Sequence, residues 1–341
     1  MSNKLDMKKI YCRLPIFITP FFALMITSFS LFAQKVPPHD STYYVTFPNT
    51  IMARIYLSKK YAPFTLPAAG SVRDLQYRPN TKLNLGIGVT YKNYTANVAY
   101  GFGFLNNNYN TKGKTKGLDL HFHLFPNKLT VDLLGVFHKG YYLVPKGYAA
   151  VNSNSYYYRP DVKLTLLGVA AYRVPNAEKF SYRAAFVQNE WQKKSAGSIL
   201  FGGEAYYVSF VGDSAIVPKQ LQNSYPQAGI KKINFISVGP GLGYVYTLVI
   251  EKHFFITTSL IANLDFNFCT ENATSQNKKF SLKPAAIYKG AIGYNSNTWS
   301  VSAALTGNAL LVRGASSSKD YFLPVGNYRL TLATRLHRKN G

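Results

Sequence analysis

KLNLGIGVTYKNYTANVAYGFGF, residues 82–104, alternates along its whole length. Leu83, Leu85, Ile87, Val89 and Tyr91 are apolar, while Lys82, Asn84, Gly86, Gly88 and Thr90 between them are polar or lack a side chain. After Lys92–Asn93 the phase resumes, with Tyr94, Ala96, Val98, Tyr100, Phe102 and Phe104 set against Thr95, Asn97, Ala99, Gly101 and Gly103. Successive side chains of a strand point to opposite faces, so each half carries one greasy face and one polar or glycine-lined face. Two strands of about ten residues joined by a very short turn are the repeat unit of a transmembrane β-barrel.

The same pattern recurs at 51–57, 115–125, 129–139, 162–172, 181–191, 198–211, 233–249, 254–268, 280–294, 298–312 and 328–337. In 254–268, Phe254, Ile256, Leu260, Leu264, Phe266 and Phe268 oppose Ser259, Asn263, Asp265 and Asn267. A soluble sandwich also alternates, but its strands average about five or six residues and its inner faces are dry. These strands are longer, and their second faces hold Gly, Ser, Asn, Lys and Asp. Aromatics such as Tyr91, Tyr94, Phe125, Tyr172, Tyr294 and Trp299 near strand ends suit interfacial girdles. The expected fold is an all-β, transmembrane antiparallel β-barrel of the outer-membrane type. Bacterial barrels usually have an even number of strands. An extra strand near Val208–Val217 brings the count to fourteen, with twelve as the alternative.

Lys92–Asn93, Pro126–Lys128, the region around Asn176, Glu251–Lys252 and Asn295–Asn297 read as short periplasmic turns. Asn106–Lys114, Gly140–Pro160, Glu271–Lys279 and Arg313–Asn327 read as long extracellular loops. The expected organisation is a cleaved signal peptide at 1–33, a periplasmic lead-in at 34–49 and a single barrel at 50–341. Lys4, Lys8, Lys9 and Arg13 precede the apolar core Ile16–Phe32, and Ala33 is a small residue at the cleavage position. Cys12 falls in that leader, so Cys269 is alone and no internal disulfide is expected. The net charge of +25 becomes +22 when the leader, with four basic residues and Asp6, is removed. For an exported barrel this charge points either to anionic outer-membrane lipid, lipopolysaccharide among it, or to solvated loop and lumen positions, and not to nucleic acid.

Gly239-Pro240-Gly241-Leu242-Gly243 and Gly113-Lys114-Thr115 lack the spacing of nucleotide loops, and the first has the period of a strand. His121 and His123 share a strand face with Asp119, and Asp132 and His138 lie on the next strand's polar face. Imidazoles spaced by two can share a metal, and a histidine with a carboxylate can serve a lipid hydrolase. The reading adopted is a hydrogen-bonded polar network filling the lumen, with no catalytic residue, metal or cofactor. Its other members are Lys163, Glu204, Asp265, Lys283, Lys289, Arg329 and Arg335. Charges facing lipid would cost about 2–4 kcal/mol each at the midplane, so they belong inside. Bases outnumber acids in this set, which favours anions if the lumen is open.

The run FSYRAAFVQNEWQKKSAGSILFGGE (Phe180–Glu204) is not generic barrel sequence. With YRPNTKLNLGIGVTYK (Tyr77–Lys92), KGKTKGLDL (Lys112–Leu120), YYYRPD (Tyr156–Asp161) and INFISVGPGLGYVYTLVIEKHFF (Ile233–Phe255), it resembles domain of unknown function 4421, an uncharacterised family of exported Gram-negative proteins. The resemblance covers about residues 40–337. It implies an outer-membrane barrel and no assigned activity. Arg183, Asn189, Glu190, Trp191, Lys193, Lys194, Ser195 and Gly197 match its most distinctive motif and form the candidate functional patch, open to a protein partner at 189–197.

The barrel-assembly machinery is an expected partner, although the chain closes on Leu336-His337-Arg338-Lys339-Asn340-Gly341 and not on an aromatic. The functional expectation is a small pore, structural or surface-binding barrel with a basic, polar lumen, leaning away from an enzyme. The alternatives are a barrel enzyme acting on lipid or lipopolysaccharide and a docking subunit of a surface or export complex.

Overall fold

The computed structural model describes residues 39–337, apart from 48, 92–93, 107–108, 126–127 and 274. The leader and the Lys92–Asn93 turn lie outside the described residues. In chain order the strands are β1 (Tyr44–Thr46), β2 (Thr50–Tyr61), β3 (Phe64–Leu66), β4 (Leu75–Pro79), β5 (Leu83–Tyr91), β6 (Tyr94–Tyr100), β7 (Lys116–Leu124), β8 (Leu129–Val144) and β9 (Tyr158–Arg173). A short helix, α1 (Tyr182–Phe186), and β10 (Glu190–Gln192) precede β11 (Ala196–Val211), β12 (Lys232–Ile250) and β13 (Phe254–Asn272). The chain finishes with β14 (Gln276–Asn295), β15 (Trp299–Arg313) and β16 (Asp320–His337).

All but β1 and β10 belong to one 14-stranded antiparallel sheet, so fourteen describes the sheet and not its circumference. The ring runs β16-β15-β14-β13-β12-β11-β9-β8-β4-β3 and returns to β16. It is ten strands around. The last steps are short: β4 meets β8 from Gln76↔Val144 to Pro79↔Tyr141, and β3 meets β16 at Phe322↔Thr65. Toward the short-turn end the sheet forks. One branch continues from β16 through β2 and β5 to β6, and the other runs from β8 to β7. Among the described residues β6 pairs only with β5, and β7 only with β8.

The outer surface is apolar and the interior behind the mid-strand residues is polar, the reverse of a water-soluble domain. Phe254, Ile256, Leu260, Leu264, Phe266 and Phe268 are 43–58% exposed, while Ser259, Asn263, Asp265 and Asn267 are at most 4% exposed. Hydrocarbon is the solvent that makes such a distribution stable, and a closed ladder of strands is the sheet that can live in it. Tyr294 stacks on Trp299 with 4.8 Å between ring centroids, in keeping with a girdle. Tyr172 and Phe125 depart from it and turn inward. Tyr172 donates to Asn263 Oδ1 at 2.6 Å, and Phe125 stacks on Tyr182.

Three expectations are corrected. Residues 181–191 are not a wall strand, because Ser181 starts a helical turn there and the segment enters the barrel. No strand hides near Val208–Val217: β11 ends at Val211, and residues 212–231 fold into the barrel mouth. The strands that were missed are β3 and β4, too short to alternate visibly and bounded by Pro63, Pro67 and Pro79, whose missing N–H groups break a ladder. Finally, the lumen is not polar throughout. At the loop end Phe64, Leu66, Tyr77, Tyr141, Phe210 and Phe235 pack with Ile216, Val217 and Tyr225 into a dry core, with Phe64 stacked on Phe210 at 4.3 Å. Each such side chain contributes about 1.5–3 kcal/mol on burial.

Leu260 lies midway along the outer face of β13. Leu260→Arg is expected to destabilise the protein by about 2–4 kcal/mol in urea titrations in lipid vesicles. An unchanged midpoint would remove the lipid-facing assignment of that face.

Candidate functional site

The distinctive motif of the sequence builds a plug. Between β9 and β11 the chain leaves the wall and enters the barrel from the short-turn end. Ser181 Oγ accepts from the Ala184 N–H at 3.0 Å, capping α1, and donates to the Glu190 carboxylate. Tyr182 and Ala184–Ala185 are buried, with the Tyr182 hydroxyl 2.7 Å from Ser259 Oγ. β10 pairs with β1, which draws the lead-in against the plug. Arg335 locks the assembly from the wall, donating to Gln188 O at 2.8 Å, to Asn295 Oδ1 at 2.7 Å and to Ser296 O. Asn295 in turn donates to Glu190 O at 3.1 Å.

The candidate patch is therefore used internally. Arg183 reaches Asn189 Oδ1 at 3.3 Å and Glu190 Oε1 at 3.5 Å, and Asn189 and Glu190 are buried. Trp191 donates to Lys252 O at 2.7 Å, and Lys193 lies over its ring. Ser195 Oγ accepts from the Val249 N–H at 2.9 Å, and a Cβ on Gly197 would stand 2.5 Å from Val245 O. Of the eight residues only Lys194 is exposed; the others are buried or half-buried. Burial pushes the Glu190 carboxyl above its ordinary range, with Arg183 and the Ser181 hydroxyl pulling the other way.

Above the plug lie the charged groups, in three sets. In the first, His123 Nδ1 meets Asp132 Oδ1, Lys289 Nζ meets Asp132 Oδ2 at 2.6 Å, and the His121 ring lies 4.0 Å from that of His123. Nearby His138 Nε2 is 2.9 Å from Asp119 Oδ1, and Lys60 Nζ is 3.6 Å from Asp119 Oδ2. Lys289 also lies over the Tyr182 ring, so the plug touches this set. Among the described residues no hydroxyl donates to or accepts from His121, His123 or His138.

In the second set Ser237 donates to Asp265 Oδ2 at 2.5 Å and Tyr206 donates to Glu204 Oε2 at 3.4 Å, while Glu204 Oε1 and Asp265 Oδ1 are buried with no hydrogen-bond partner among the described residues. The glycines of the 239–243 run make room for it. A Cβ on Gly239 would fall 2.3 Å from Asp265 Oδ1, and one on Gly241 1.7 Å from Asn263 Oδ1. The third set is cationic. Arg54 donates to Thr90 Oγ1, the Arg329 guanidinium lies 3.8 Å over the Tyr56 ring, and neither has a carboxylate partner among the described residues.

Two predicted members sit elsewhere. Lys283 pairs with Asp320 at 2.8 Å toward the loop end. Lys163 faces outward, because Val162 and Leu164 take the inner face of β9 to complete the dry core. Arg54 lies on the face of 51–57 opposite Ile51, Ala53, Ile55 and Leu57, as its alternation implies, whereas Lys60 was not anticipated. Carrying the alternation of β2 past Leu57 would have found Lys60, since even-numbered residues there point inward.

Together these features define a membrane-spanning, plugged β-barrel of the outer-membrane type. The chain matches the family described as Domain of unknown function (DUF4421) over residues 38–334, and it belongs to that family. A search of curated proteins gives no match. Similar solved structures include a bacterial polysaccharide outer membrane secretin, at 8% identity over 85% of this chain and 99% of that one, with a TM-score of 0.34. The translocator domain of autotransporter NalP from Neisseria meningitidis is similar at 8% identity over 94% and 95% of the two chains, with a TM-score of 0.31. OmpT of Vibrio cholerae is similar at 8% identity over 85% and 99%, with a TM-score of 0.29.

Arg335→Ala leaves Gln188 O and Asn295 Oδ1 without their donor and is expected to weaken plug docking by about 1–3 kcal/mol. Limited proteolysis should then cut faster within 176–195 while the heat-modifiable barrel band persists; unchanged cleavage would contradict the role given to Arg335. Because the folded Glu190 carboxyl titrates above the unfolded value of 4.5, its proton is held more tightly in the docked plug. Plug protection is expected to rise as pH falls from that raised value toward 4.5 and to decline as pH rises through it. Glu190→Gln should flatten this profile in hydrogen exchange, and a profile that keeps its slope in the variant would exclude Glu190 as its source.

Proposed function

We propose that this protein is a non-conducting barrel of the Gram-negative outer membrane, exported by the leader at 1–33, that binds an anionic amphiphile through the seam between β6 and β7. The observation that carries this reading is the pair of strand edges that, among the described residues, have no partner on either side of that seam. An unsatisfied backbone group in hydrocarbon costs several kcal/mol, so an open edge within a membrane wall calls for an occupant with polar atoms.

The seam has bounds and a lining. Its upper end is tied by Asn80, whose N–H donates to Thr115 Oγ1 and whose Nδ2 donates to Gly113 O, both at 2.7 Å. Lys60 crosses there as well, donating to Asp119 O at 3.1 Å. Below these ties Thr95–Tyr100 are exposed on both faces. Val98 and Tyr100 on one edge, and Leu118 and Phe122 on the other, offer apolar flanks for acyl chains. Inside, Gly88 leaves Arg54 close behind Asn97, since a Cβ there would fall 2.1 Å from Asn97 Oδ1 and 3.0 Å from Arg54 Cγ. Arg54, Arg329, Lys60 and Lys289 outnumber Asp119 and Asp132, which favours a phosphate or carboxylate head group. The filled mouth and the plug argue against a pore.

A photo-crosslinking side chain at Asn97, on the inner face of β6, is expected to capture lipid in vesicles, more so when anionic lipid is included. The same group at Ser300, on the inner face of the closed wall, should capture none. Lipid absent from Asn97 would end this reading, as would steady conductance of the full mature chain in planar bilayers.

A further inference from the structure

We propose that His121, His123 and Asp132 form a binding site for one divalent transition-metal ion of the zinc type. The inference is independent of whether an amphiphile enters the seam. Alternation along β7 places both imidazoles on its inner face two residues apart, and the β7–β8 register sets Asp132 directly opposite His123. One donor atom from each of the three lies within 4.8 Å of the others. Among the described residues neither ring nitrogen of His121 has a hydrogen-bond partner, and its one ring contact is with His123, tilted by 44° with 4.0 Å between centroids. Two imidazoles at this spacing, one of them with no hydrogen bond to the protein among the described residues and both beside a carboxylate, offer their donor atoms to one ion.

The donor chemistry selects the ion. Two nitrogens and one carboxylate oxygen suit Zn²⁺, Ni²⁺ or Cu²⁺, whereas Ca²⁺ and Mg²⁺ prefer oxygen-only sites. With metal–ligand distances of about 2.0–2.2 Å, the three atoms need only close up by side-chain rotation. Three protein ligands leave a fourth position, and the cavity beside them, lined also by Thr306, Asn308 and Asn327, can supply a water or a ligand oxygen to it. Lys289 holds the second oxygen of Asp132 at 2.6 Å and so orients the carboxylate from outside the ligand set. Its charge also opposes a dication, which points to micromolar and not picomolar affinity.

The test uses the full mature chain, folded in detergent and stripped with chelator, titrated with Zn²⁺ alone and measured by equilibrium dialysis. One equivalent per chain is expected, falling at least about tenfold in affinity in the H121Q/H123Q variant, while H253Q binds as the parent does. Circular dichroism and heat-modifiable migration report whether the double variant is folded. Should it not fold, X-ray absorption of the zinc-loaded parent decides, two imidazole nitrogens being expected in the first shell. Zinc retained unchanged by the folded double variant, less than stoichiometric zinc on the parent, or a shell with no imidazole pair would each overturn the site.

Discussion

Every backbone N–H and C=O of a strand in hydrocarbon must find a partner in another strand, because no water is there to supply one. This demand orders the whole molecule. It closes ten strands into a ring, and at the loop end it is met by the short β3 and β4, which would be negligible in a soluble sheet. It also explains why the fork matters. Where the sheet divides, β6 and β7 keep one open edge each among the described residues, and the interior behind those edges is the polar level of the barrel, not the dry one.

Closure fixes the wall but leaves the inside to be filled, and the filling differs by level. At the loop end aromatic and aliphatic side chains pack as in a soluble core, helped by residues 212–231 folded inward. At the short-turn end the plug uses a different economy, in which one arginine, Arg335, satisfies carbonyls of both plug and turn. Between them acids and bases neutralise one another, as in Asp132 with Lys289 and Asp119 with Lys60. Breaking such a pair costs more than forming it gains, because the remaining charge is stranded. Arg54 and Arg329 stand outside this balance, held by a hydroxyl and a ring. Their position behind the glycine-lined wall of β5 joins the uncompensated charge to the seam.

The histidine cluster lies where these two features meet. β7 contributes an open edge to the seam through its backbone and two imidazoles to the lumen through its side chains. The plug reaches the same place through Tyr182, beneath Lys289. Wall, plug and cluster are thus mechanically adjacent, so a ligand that enters the seam would be read by all three.

Much of this was legible in the residue pattern. The period of two in 254–268 assigned inner and outer faces correctly, because only one phase puts Asp265 and Asn267 out of lipid. The inward placement of Asp132 and Lys289 and the shared face of His121 and His123 also followed from phase, although which base Asp132 meets did not. The plug did not, since 181–191 alternates well enough to pass for a strand, and only the fit of Tyr182 against Ser259 and of Gln188 against Ser302 and Arg335 draws it inside. Nor did the dry mouth or the outward turn of Lys163, which depend on what stands across the barrel. Periodicity is a local property of one strand and determines which way its side chains point. Which strands remain unpaired, and which residues a ring of ten strands brings face to face, depend on closure, and closure is decided by the whole chain.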